Sequence, residues 1–134
     1  MVCIYCKNNT FVTNSRNKNN NQVWRRRKCL TCKACFTSIE EVLYNKYILI
    51  STPKKLIELS KEQLFLDIYS SIGHLNRDKV VIATYLTDIV LSKINKALDN
   101  GQIDLRRYQE IIFKTLKRFN NIASVHYKAY FMNQ

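Results

Sequence analysis

No acidic side chain stands before Glu40, and the whole 134-residue chain contains only two glycines, one proline and two histidines. Each shortage excludes something. A Walker-type phosphate loop or a dinucleotide-binding turn needs several glycines within a short span, so both are ruled out. His74 and His126 have no partner at metal-ligand spacing, and neither a Ser-His-Asp arrangement nor a pair of cleft carboxylates can be assembled from the sequence. An enzyme is therefore the weakest functional class. No apolar run approaches the ~20 residues that cross a bilayer, so a membrane is not an expected partner. No charged-then-apolar leader precedes Cys3, which leads us to expect a reducing, cytoplasmic setting.

What the chain does have is cysteine and positive charge, both concentrated at its start. Cys3-Ile4-Tyr5-Cys6 and Cys29-Leu30-Thr31-Cys32 are two Cys-x-x-Cys knuckles separated by a couple of dozen residues. Two intervening residues let a tight turn aim both sulfurs at one ion, and two such turns supply a tetrahedral Zn²⁺ site. Four thiolates leave no open coordination position. Such a centre is structural and contributes folding free energy instead of activating water. Cys3, Cys6, Cys29 and Cys32 are the expected ligands, and one Zn²⁺ the expected cofactor. Cys32-Lys33-Ala34-Cys35 repeats the spacing, so the sequence leaves a ligand swap involving Cys35 open.

The formal net charge is +12, which points to polyanionic partners. Its distribution is more informative than its total. Lys7, Arg16, Lys18, Arg25, Arg26, Arg27, Lys28 and Lys33 all precede the first carboxylate, whereas the remainder balances fourteen basic residues against ten acidic ones. Basic density on a small metal-held scaffold is the electrostatic footprint of a nucleic-acid binder. Arginine adds a planar fork that binds phosphate or a guanine edge bidentately. In an extended strand Arg25 and Arg27 project to one face and Trp24 and Arg26 to the other, so only part of the run can meet one groove.

The pattern predicts an α+β chain with two domains, 1–41 and 42–134. In the first, Thr10–Thr13 and Gln22–Arg25 read as strands flanking an asparagine-rich hairpin tip at Asn17–Asn21, and Phe36–Ile39 continues the β segment. In the second, Val42–Ile50 and Lys55–Leu59 read as a short hairpin around Pro53. Ser60-Lys61-Glu62-Gln63 matches a capping box, with Gln63 reaching back, and opens a helix ending near Gly73. Asp78 should cap a second helix, running to Gly101 on a stripe of Val81, Ile82, Tyr85, Leu86, Ile89, Ile94 and Leu98. Asp104 should cap a third, with Leu105, Tyr108, Ile111, Ile112, Leu116 and Phe119 inward. Asn120 or Asn121 should open a fourth, burying Ile122, Val125, Ala129 and Tyr130.

Together these residues resemble the NrdR family of bacterial ribonucleotide-reductase repressors, a zinc ribbon followed by an ATP-cone. The resemblance rests on the first knuckle and on Val12-Thr13-Asn14-Ser15-Arg16, similar to the family's V-x-D-S-R. It continues through Arg25–Cys32, through Phe36-Thr37-Ser38-Ile39-Glu40, similar to F-T-T-x-E, and loosely through Ile122–Tyr130. It implies a sequence-specific repressor of double-stranded DNA, located in the cytoplasm at the nucleoid, that forms homo-oligomers set by ATP or dATP. Carried over, Cys3, Cys6, Cys29 and Cys32 hold zinc, and Arg16, Arg25, Arg26, Arg27 and Lys28 face DNA. The nucleotide-contacting hairpin departs from the family pattern. Where the family reads approximately V-x-K-R-D-G, this chain has Leu49-Ile50-Ser51-Thr52-Pro53-Lys54, without the Lys-Arg pair or the turn glycine, and no nucleotide-binding residue is assigned. The alternative reading is an adaptor whose ribbon docks on RNA or the transcription machinery, with the altered cone as a protein interface.

Overall fold

Strands β1 (Thr10–Asn19), β2 (Gln22–Cys29) and β3 (Cys35–Glu41) form an antiparallel sheet in the order β1-β2-β3. A computed structural model describes residues 1–19, 22–75 and 78–132 and divides the chain into two units, Met1–Val42 and Leu43–Gln134. The strands exceed the expected ones because the basic run is itself extended. Arg25, Arg26 and Arg27 pair with Ser38, Thr37 and Phe36 on one side and with Ser15, Asn14 and Val12 on the other. A register shift between Val12 and Asn14 places one extra residue in β1. Asn17 belongs to β1, whereas Asn20 and Asn21, at the expected tip, lie outside the described residues. Among the described residues of this unit only Cys3 and Cys29 are buried, so the sheet has no apolar core of its own.

The second unit contains the hydrophobic core. A helical turn α1 (Tyr44–Tyr47), where a strand was expected, precedes β4 (Leu49–Ser51), which turns back into β5 (Leu56–Glu58). The turn is closed by Thr52, whose hydroxyl donates to the Lys55 carbonyl at 2.6 Å and accepts from the Lys55 N–H at 3.1 Å. Helices α2 (Lys61–Ser71), α3 (Lys79–Ala97), α4 (Leu105–Phe119) and α5 (Asn121–Tyr127) follow, with a π turn at Lys128–Met132. A strand not anticipated from the sequence, β6 (Gln102–Asp104), pairs parallel to β4, so the order is β5-β4-β6. Ile103 thereby enters the core beside Ile50, Leu64, Ile68, Ile72, Val90, Ile94, Ile112 and Leu116.

The helix caps account for several boundaries. Ser60 Oγ accepts from the Gln63 N–H at 3.1 Å, as a capping residue should. The Gln63 side chain, however, reaches forward to Asp67 at 2.7 Å, and Glu62 takes the Ser60 hydroxyl. Asp104 accepts from the Arg106 and Arg107 N–H groups, and Asn120 from that of Ala123. Asp78 occupies the cap position of α3 in a left-handed conformation (φ 53°) and makes no capping bond. The α3 stripe is also rotated from expectation. Ala83, Leu86, Thr87, Val90, Leu91 and Ile94 are buried, whereas Val81 and Tyr85 are each 68% exposed. In α5, Ala123, Ser124 and Tyr127 face inward and Ile122 and Val125 outward, and Ala129 and Tyr130 of the π turn, also expected inside, are exposed.

One carboxylate of α2 is half-buried at a cost. Burial holds the half-buried Asp67 carboxyl above the ordinary carboxylate range, opposed by the bond from Gln63. Burial, followed by the Asp67 charge, also pushes the Tyr108 hydroxyl up. A raised folded-state value means that the fold prefers neutral Asp67, so this contribution to stability is present below the ordinary carboxylate pKa of about 3.9 and is lost as pH rises through the folded value. Asp67→Asn should therefore melt above the parent at pH 7, with the gap closing as pH falls toward 4. Far-UV circular dichroism melts at both pH values check this.

Candidate metal centre and nucleic-acid interface

Both knuckles fold by the same local rule. The Cys3 N–H donates to the Asn8 carbonyl at 2.7 Å and the Cys29 N–H to the Ala34 carbonyl at 2.9 Å, the same five-residue span in each. The residue following each second cysteine, Lys7 (φ 63°) or Lys33 (φ 61°), takes the left-handed conformation that reverses the chain. A non-glycine residue there costs of order 1 kcal/mol, which the surrounding turn must offset. Lys33 contributes by donating from Nζ to the Leu30 carbonyl at 2.6 Å.

These two turns bring the four sulfurs together. Cys3 and Cys32 Sγ lie 3.6 Å apart, Cys6 and Cys29 Sγ 3.4 Å, and all four fall within 4.8 Å of one another. A tetrahedron with zinc–sulfur bonds of about 2.3 Å has edges of about 3.8 Å, so the cluster has the right size for one ion. Its electrostatics fit a cation as well. The Asn8 backbone, then Cys29, holds the Cys6 thiol down at about 6, and the Cys6 backbone lowers Cys3. The Ala34 backbone pulls Cys32 down, but burial and the three other sulfurs outweigh it and push that thiol up to about 12. Several thiolates in one place repel each other unless a positive ion sits among them. Further N–H groups aim at sulfur, from Thr31 to Cys29 at 3.4 Å and from the Asn8 amide to Cys6 at 3.6 Å. Cys35 is exposed and outside the group, its Sγ 3.8 Å from the Lys33 carbonyl.

The expected DNA-facing residues fall on two faces of the sheet. On one, Arg25 is neutralised: its guanidinium reaches Glu40 Oε2 at 2.7 and 2.9 Å and Ser15 Oγ at 3.2 Å. Arg27 on the same face donates to Ser38 Oγ at 2.9 Å, linking β2 to β3. On the other, Arg16 pairs in register with Trp24, and Arg26 sits between Asn14 and Thr37. Asn14, Arg16, Trp24, Arg26 and Thr37 line a shallow cleft of about 240 Å³, and Lys18 Nζ lies 4.6 Å from the Trp24 ring centre. Lys28 follows Arg26 on this side, opposite Phe11 and Cys35. The two-residue alternation of a strand could have paired Trp24 with Arg26 from sequence alone. Asn14 and Lys18 were less accessible to that argument, because the irregular register of β1 decides what they face.

The fold and the cysteine cluster define a zinc-ribbon protein with four cysteines positioned to hold one metal ion, joined to a small helical unit. Residues 1–40 match the family described as the transcriptional repressor NrdR-like N-terminal domain. The similarity extends well beyond the ribbon. The chain is 27% identical to the transcriptional repressor NrdR of Anaplasma phagocytophilum over 99% of its own length and 87% of that protein. It is 28% identical to the NrdR of Hyphomonas neptunium over 95% and 80%, and 24% identical to that of Granulibacter bethesdensis over 99% and 85%. These relatives are named as repressors, not as enzymes.

The ligand set can be checked directly. Cys35→Ser should retain one zinc per chain, whereas Cys29→Ser or Cys32→Ser should lose it, as read by metal analysis of the purified variants. Zinc loss from Cys35→Ser alone would show that the fifth cysteine is a ligand.

Proposed function

We propose that this chain is a DNA-binding transcriptional repressor of the NrdR kind, with the ribbon at 1–41 reading duplex DNA and the helical region at 42–134 acting as its assembly module. The observation that supports it most is a basic sheet face whose cations are not paired with carboxylates; Glu41, at the end of that face, is held by the Gln22 side-chain amide at 2.9 Å. Among the described residues Arg16, Lys18, Arg26 and Lys28 have no acidic partner, while Arg25 is already paired with Glu40. Their guanidinium and ammonium groups are therefore available to phosphates, and Arg26 or Arg16 to a guanine edge. Trp24 supplies an apolar surface beside them. On this reading Arg16, Arg26 and Lys28 contact DNA, joined by Lys18. Arg25 and Arg27 chiefly hold the sheet flat against Glu40 and Ser38.

Assembly through the helical unit is supported by the apolar side chains it leaves outside, notably Leu66, Val80, Val81, Tyr85, Ile122 and Val125. Paired ribbons in a homo-oligomer would suit repeated half-sites. We assign no adenine nucleotide to the β4–β5 hairpin. It carries Ser51 and Thr52 where the family resemblance calls for a Lys-Arg pair, and the Thr52 hydroxyl is already engaged by the Lys55 backbone.

The test begins with zinc-loaded protein selecting fragments of genomic DNA, with ATP, with dATP and with neither. Enrichment of a repeated duplex motif is expected. On that motif Arg26→Ala should weaken binding by about 1–3 kcal/mol, roughly five- to 150-fold, and Arg25→Ala by much less. Equal affinity of the parent for unrelated duplexes would overturn the repressor reading. Equal losses from Arg25→Ala and Arg26→Ala would overturn only the choice of face.

A further inference from the structure

A second concentration of unpaired positive charge lies in the helical unit, in a groove between the end of α3 and the start of α4. Lys93, Lys96, Arg107 and Lys114 surround a cavity of about 500 Å³ whose apolar lining comes from Ala97 and Ile111. One carboxylate, Glu110, is present, and it is engaged by Lys114 at 3.1 Å. Among the described residues Lys93, Lys96 and Arg107 pair with no acid. Four cations therefore share a concave site with one anion.

Lys93 is the most constrained of them. Its ammonium donates to Thr115 Oγ1 at 2.8 Å, and that buried hydroxyl donates in turn to the Ile111 carbonyl at 2.7 Å. The Lys93 head group is thus anchored at the groove wall by a neutral acceptor. Burial first, and the neighbouring Arg118 charge second, hold its pKa below the ordinary lysine value. A cation kept in a fixed place while repelled by its neighbours is stabilised by whatever anion enters. The floor excludes a bare hydrated carboxylate cluster as the best match, because Ala97 and Ile111 offer no hydrogen bonds. Several phosphate oxygens spread along the rim would satisfy two ammonium groups and the Arg107 fork together.

We propose that this α3–α4 groove is a binding site for a small condensed-phosphate anion, with Lys93, Lys96 and Arg107 as its ligand-contacting residues and Lys114 shared with Glu110. The site is distinct from the basic face of the ribbon and does not depend on that face reading DNA. Its volume is in the range of small-molecule pockets and too small for a duplex.

Isothermal titration of the zinc-loaded full chain with tripolyphosphate tests this, accompanied by backbone amide NMR shifts. The parent should bind with shifts clustered at residues 93–97 and 107–115. Because Lys96 and Arg107 are exposed, Lys96→Gln/Arg107→Gln should keep the melting profile and lose at least tenfold in affinity. Lys93→Met should lose a similar factor, and Arg26→Gln in the ribbon should leave this binding unchanged. Unchanged affinity in the Lys96/Arg107 double variant would overturn the proposal. So would shifts confined to the ribbon, or a loss of binding produced by Arg26→Gln alone.

Discussion

The mutual approach of four sulfur atoms is the constraint on which the amino-terminal unit depends. A sheet of three strands with both faces wet buries too little apolar surface to oppose its own chain entropy. Here the buried side chains of the described residues are two cysteines and nothing aliphatic. The fold is consequently held where the knuckles meet, and an ion among the thiols supplies what a core would otherwise provide. With no apolar core to form, the sheet carries its cations beside exposed Phe11, Val12, Trp24 and Ile39. The same economy explains why arginines can occupy consecutive positions of a central strand.

That central strand divides its arginines between two tasks. Alternation sends Arg25 and Arg27 to one side, where Glu40 and Ser38 fix them, and Arg26 to the other, where it donates to the Thr37 hydroxyl at 3.4 Å. A charge already paired contributes little to attracting a polyanion, since its field is cancelled at short range. The run of four basic residues is thus smaller, as an electrostatic object, than its sequence indicates. The helical unit shows the converse. Its fourteen basic residues stand against eight acidic ones, and at the α3–α4 groove the two signs are segregated, so that local segregation as well as net charge sets the field there.

The parts legible in the sequence were those set by short-range chemistry. Cysteine spacing located the metal centre, and Ser60, Asp104 and Asn120 marked helix starts because their side chains satisfy backbone donors within a few residues. The misread parts depend on distant partners. Val81 and Tyr85 fit an apolar stripe by spacing, but Ala83, Thr87 and Val90 define the face that packs, and small or hydroxylated residues are poor signals of it. In the last helix Ala123, Ser124 and Tyr127 form the face that packs, which leaves Ile122 and Val125 outward. β6 has three residues and no strand signature beyond Ile103. It exists because β4 offers it an edge.

That edge has a consequence for the order in which the chain can acquire structure during synthesis. β4 lies between β5 and β6, and its parallel partner begins at Gln102, some fifty residues downstream of Leu49. The small sheet of the helical unit cannot close until the residues through Asp104 have left the ribosome. The ribbon needs nothing beyond Glu41. A nascent chain therefore passes through an interval in which its amino-terminal unit is complete and able to take up its ion while the region that follows is still unfolded. In that interval the basic surface is present before the apolar core that comes after it has formed.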